Sequence, residues 1–159
     1  MTDSWETKIA KFWTTADDGE PEKVLRDIRA LIAERPKQDA AARYELASVH
    51  DFLGQESEAV PLYREALELG LDSERQPQAK IQLASTLRNL GQSSEAIEIL
   101  EQLDGDETTG SAAQAFLALA LFDSGRKSAA LKVALRALAP TLPLYRRSVL
   151  GYADELPAD

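Results

Sequence analysis

The stretch AARYELASVHDFLGQESEAVPLYREALELG, residues 41–70, decides how the chain folds. Gly54 sits between two amphipathic segments of helix length, with Leu46 and Ala47 on the first and Ala59, Tyr63 and Ala66 on the second. A glycine between two such segments can take a positive φ, end the first helix and admit a tight turn. The stretch therefore predicts a helical hairpin.

The same pattern recurs outward along the chain. Gly19, Gly54, Gly91 and Gly125 stand 35, 37 and 34 residues apart. Eight residues before the last three lie Leu46, Leu83 and Leu117, each followed by an alanine: Ala47, Ala84 and Ala118. Five residues after them come Ala59, Ala96 and Ala130. Small residues at these places let two helix backbones approach. Larger ones such as Tyr63 and Leu100 fill between neighbouring hairpins.

Composition agrees. Of 159 residues, 25 are Ala and 23 are Leu, against 5 Val and 6 Ile. Ala and Leu favour helix, while β-branched residues favour strands, so the expected class is all-α. The pattern predicts helices over 3–17, 20–35, 40–53, 57–69, 74–90, 93–103, 111–123 and 127–139, then a final helix over 143–156. Asp39 is the expected N-cap of the third, and Pro36 and Pro140 close the B helices. Pro61 falls where it can bend its helix, and Pro77 stands where it can open a shorter one.

Leu-Ala, Gly, Ala, Tyr and Ala at these offsets, with a period near 34, resemble the tetratricopeptide repeat. Leu46, Ala47, Gly54, Ala59, Tyr63 and Ala66 carry the fullest copy. Repeat three matches at Leu83, Ala84, Gly91 and Ala96, and repeat four at Leu117, Ala118, Gly125, Ala130 and Ala137. The first is degenerate, with Lys11 and Phe12 in place of Leu-Ala. The runs AKIQLASTLRNLGQSSEAIEIL and AFLALALFDSGRKSAAL and the tail YRRSVLGYADEL further resemble a small stand-alone bacterial family of such repeats, a likeness that implies a fold and no activity.

The resemblance implies a right-handed α-α superhelix in one domain over 1–159. Its repeats are expected over about 5–38, 40–73, 77–110 and 111–144, with a capping helix over about 143–156. The first helix of each pair lines the concave face. There the resemblance places Ile9, Trp13 and Asp17; Tyr44, Ser48, Asp51 and Phe52; Ile81, Ser85, Arg88 and Asn89; and Ala112, Ala115, Leu119, Phe122 and Asp123. Trp13, Tyr44, Ser48, Arg88, Asn89 and Phe122 form the expected peptide-binding groove. Trp13, Tyr44 and Phe122 read first as packing between helices and only second as groove contacts. Arg88 reads either as a ligand contact or as half of a local salt bridge.

Charge narrows the partner. With 18 Lys and Arg against 27 Asp and Glu, the formal net charge is −9, which disfavours nucleic acid and favours a basic or mixed-charge peptide. Domains of this family that grip a carboxylate pool several cations on the stripe; this one supplies Arg88 and Asn89 among Asp17, Asp51 and Asp123. The alternative expectation is a homodimer built through the groove or through Tyr145, Val149 and Tyr152.

Catalytic signals are absent from the pattern. There is no Cys, and His50 is the sole His, which excludes thiolate chemistry and a two-His metal site. Asp104-Gly105-Asp106-Glu107 lacks the calcium-loop spacing and reads as a link between repeats. No cofactor is expected. Asp3 and Glu6 make the first residues unlike a signal peptide, and the longest apolar run, Ala115 to Phe122, is too short for a membrane, so a cytoplasmic location is expected.

Overall fold

The computed structural model describes residues 3–105 and 109–159. Among these, nine α-helices and one 3-10 turn form, and no strand. They are α1 (Trp5–Thr15), α2 (Pro21–Ile32), α3 (Ala40–Phe52), α4 (Glu56–Leu69), α5 (Arg75–Asn89), α6 (Ser93–Leu100), α7 (Ala112–Asp123), α8 (Lys127–Leu138) and α9 (Arg146–Asp154), with the turn at Ala139–Thr141. Asp106 and Glu107 of the acidic link lie outside the described residues.

Local chemistry sets the helix ends. The Asp39 carboxylate accepts the Ala42 N–H at 2.8 Å and caps α3, while Ser4 accepts the Thr7 N–H and caps α1. Gly54, Gly91 and Gly125 take φ of +67°, +77° and +85°, which a side chain would resist. Gly19 does not take a positive φ; its N–H is instead accepted by the Asp17 carboxylate. His50 lies across the α3–α4 turn, with Nδ1 2.7 Å from Gln55 Oε1. Pro61 sits exposed inside an unbroken α4. Pro77 is the third residue of α5.

The chain forms two compact units, Met1–Ala79 and Lys80–Asp159. In the first, Trp5, Ile9, Phe12, Val24, Ile28, Ala42 and Val49 make a common core. The Trp5 indole donates to the Leu31 carbonyl at 3.0 Å, and the Arg35 guanidinium lies 4.9 Å over its ring. Tyr63 of α4 is fully buried against α3.

In the second unit, α7 packs on α6 and α8, and α9 packs on α8 and the 3-10 turn. The repeat register holds: Ala84 and Ala96 are fully buried, as are Ala47 and Ala59 in the first unit. Ala118 departs from it. It is partly exposed and borders an open groove, because no large side chain closes over it.

Candidate protein-interaction surface

In the first unit the expected stripe divides into a buried and an open part. Tyr44 and Ser48 are buried. The Ser48 hydroxyl donates to the Tyr44 carbonyl at 3.0 Å, and the Tyr44 and Tyr63 rings lie 6.2 Å apart. The Tyr63 hydroxyl reaches the Asp51 carboxylate at 3.3 Å, and burial pushes its pKa upward. These groups join α3 to α4 and present little surface. Ile9, expected on the concave face, belongs to the core with Phe12, Val24 and Ile28.

The open part is an aromatic step. The Trp13 ring meets the Phe12 ring at 5.2 Å and the Phe52 ring edge-on at 5.8 Å, and Phe52 is 42% exposed. The Trp13 indole N–H donates to Glu45 Oε2 at 2.8 Å. Glu45 is buried, and Arg75 Nε stands 3.9 Å from its other oxygen. Arg75 also pairs with Asp72 at 2.7 Å and with Glu6. Burial raises the Glu45 pKa, while the indole N–H and the Arg75 charge work against that rise.

The second unit holds Arg88, Asn89 and Phe122. Arg88 Nε lies 2.5 Å from Asp123 Oδ2, so the guanidinium is engaged in a local salt bridge. Asn89 is exposed. Phe122 is 56% exposed, with Lys127 Nζ 5.7 Å over its ring. Phe122 also borders a groove of about 860 Å³ between α7 and α8, whose walls include Leu119, Leu131, Ala134 and Leu138. In this unit the open apolar surface is therefore shared between both helices of a pair.

Sequence reasoning missed Glu45, Arg75 and the α8 wall. Glu45 and Phe52 are seven residues apart and so share a helix face, which was a usable signal. The α8 wall had one too. Nine residues after the four repeat glycines stand Ile28, Tyr63, Leu100 and Ala134. The first three are buried and the fourth is exposed. Arg75 had no signal, since it lies at the start of α5, outside every repeated position.

Among the described residues no three His, Asp or Glu side chains are placed to hold a metal ion. No described helix is long and apolar enough to cross a membrane.

Paired amphipathic helices with a glycine at each turn, repeated at a period near 34, define a helical-repeat protein. Residues 40–156 match the family model described as Tetratrico peptide repeat, and the chain belongs to that family. Its fold is the all-α tetratricopeptide-repeat fold, one that generally serves protein–protein interaction. A putative kinesin light chain of Podosopora anserina with nearly identical TPR-like repeats is 22% identical, covering 94% of this chain and 85% of that one, with a TM-score of 0.69. A point variant of that same protein is 20% identical over 94% and 84%, with a TM-score of 0.71. A MamA RS-1 ArsTM double mutant is 19% identical over 98% and 85%, with a TM-score of 0.66. No curated protein matches the chain.

Proposed function

We propose that the protein is a non-catalytic adaptor that binds a peptide or a partner helix on the exposed faces of its A helices. The observation that carries this is Phe122: the repeat register assigns it to the binding face, and more than half of its surface is open. An exposed aromatic is the kind of side chain that anchors an interface. In the first unit, the Trp13 and Phe52 rings meet edge-on and offer an aromatic contact of their own.

The charge favours a basic or mixed partner. The formal net charge is −9, and the Arg88 guanidinium is already neutralised by Asp123. An incoming carboxylate would have to displace Asp123, whereas a lysine or arginine of a peptide meets a surface of its own complement. The stripe does not pool the cations that a carboxylate clamp needs. A cytoplasmic setting fits this reading.

The test is affinity capture from cell lysate with the wild-type chain beside an Arg88→Ala/Asn89→Ala/Phe122→Ala variant. All three residues are on the surface or its edge, so the variant should keep its helical circular dichroism. A partner retained by wild type and lost from the variant supports the reading. Equal capture by both removes these residues from the interface. Trp13 is left in place because its loss would strand the buried Glu45 carboxylate.

A further inference from the structure

Among the described residues, seven of the ten exposed large hydrophobic side chains fall between Leu119 and Tyr152. They form two surfaces. One is the α7–α8 groove, where Leu119, Phe122, Leu131 and Leu138 are each 45–56% exposed. The other is the C-terminal segment, where Leu144, Tyr145 and Tyr152 are 66–77% exposed. Contiguous apolar surface of this kind on a strongly charged protein marks a contact site.

The two surfaces lie on different sides of α8. Helix α9 sits against the side that carries Ser128, Lys132 and Arg136. Asp154 bonds Arg136 at 2.7 Å and lies 3.7 Å from Lys132. The Asp159 carboxylate accepts the Ser128 and Ala129 N–H groups at the start of α8. The groove side carries Lys127, Leu131, Ala134 and Leu138 instead. So α9 does not supply any of the groove's lining, and its own outer face stays open.

That outer face fits the groove. Ser148, Tyr152 and Glu155 are spaced four and three residues apart and share one side of α9, while Ala153 faces inward and is fully buried. Tyr152 offers an aromatic ring to the space left by Ala134. Glu155, one turn further on, offers a carboxylate. Among the described residues, Lys127 is the one charged side chain in the groove lining. On a chain of net charge −9, most contacts between copies bring acids together; this one pairs an acid with a lysine.

We infer that the α7–α8 groove is a self-association site filled by helix α9 of a second copy, with Tyr152 seated against Leu131 and Leu138 and Glu155 against Lys127. Each copy supplies one groove and one helix on different sides of α8, so the contact joins unlike surfaces of two copies. This goes beyond the adaptor reading, which makes no use of α8 or α9; the two share Phe122, while Arg88 and Asn89 lie outside the groove lining and belong to the adaptor reading alone.

Sedimentation of the full chain from low to high micromolar concentration tests it. Wild type is expected to dimerise. Leu131→Glu and, separately, Tyr152→Ser are expected to be monomers with unchanged circular dichroism and melting, since both residues are exposed. Lys127→Glu alone and Glu155→Lys alone should each weaken dimerisation by roughly tenfold. Combining the two reversals should restore most of it, which a merely structural role for either residue would not produce. A wild-type monomer at high micromolar concentration overturns the inference, as does a dimer indifferent to Leu131→Glu and Tyr152→Ser. A dimer that the double reversal fails to restore overturns α9 as the occupant. None of these failures touches Arg88 and Asn89, which lie outside the groove lining, so capture by an Arg88→Ala/Asn89→Ala variant with Phe122 intact scores the adaptor reading separately.

Discussion

The α3–α4 hairpin and the α7–α8 hairpin are written in the same repeat grammar and end in opposite states. Both carry Leu-Ala before the turn glycine and Ala five residues after it. Nine residues after the glycine the first has Tyr63, fully buried, and the second has Ala134, exposed. The closed hairpin has a large residue at that position, and the hairpin with a groove of about 860 Å³ has a small one there. The signature residues fix how two helices approach, and the larger residue between them fixes whether any surface is left over to bind with.

Breaking the closed hairpin should have the largest effect. Tyr63→Ala removes a ring packed against Tyr44 together with a hydroxyl on Asp51, and it should cost about 3–5 kcal/mol in chemical denaturation. The converse change, Ala134→Tyr, enters open space and should alter stability by about 0.5 kcal/mol or less, as surface substitutions do. Comparable costs at the two positions would mean that the α7–α8 groove is not open in solution.

A second pair sharpens the same contrast. Ala84 and Ala118 occupy one register position in repeats three and four. Ala84 is fully buried, so Ala84→Leu overpacks a helix crossing and should cost about 1–3 kcal/mol. Ala118 borders the groove, so Ala118→Leu should melt within a few degrees of wild type. A large loss at Ala118 would show that the groove closes around it.

This contrast also explains what could be read without a structure. Helix ends were legible because they are local: Asp39 caps α3, and the glycines carry the turns at Gly54, Gly91 and Gly125. The alanine register was legible because a repeat copies it. The site was less so. Tyr44 and Phe52 both fall on the expected stripe of α3, yet Tyr44 is buried and Phe52 exposed, since Tyr63 of the next helix covers only one of them. The Glu45–Arg75 contact joins residues thirty positions apart with no repeated spacing between them, so it could only be seen in three dimensions.

Glu45 gives the subtlest of these contrasts, a slope against pH. The second unit opens an apolar groove to water, whereas the first buries a carboxylate beneath an indole. Burial raises the Glu45 pKa above its ordinary value of 4.5, even against the Trp13 N–H and the Arg75 charge. The folded chain therefore holds this proton to higher pH than the unfolded chain does. Its contribution to stability is complete below the ordinary value and declines as pH rises toward the raised one. Asp39 and Asp72 pull the other way. Partial burial favours their protonated forms, but the Ala42 and Arg75 N–H groups and the Arg35 and Arg75 guanidinium groups outweigh it and lower both pKa values. The stability they add is present above 3.8 and lost as pH falls. Glu45→Gln keeps an acceptor for the indole and removes only the first effect. Subtracting denaturation curves of wild type and variant from pH 4 upward should leave a difference that favours wild type most at the acid end and shrinks as pH rises. Parallel curves would mean that water reaches Glu45, and that the polar centre of the first unit is as open as the groove of the second.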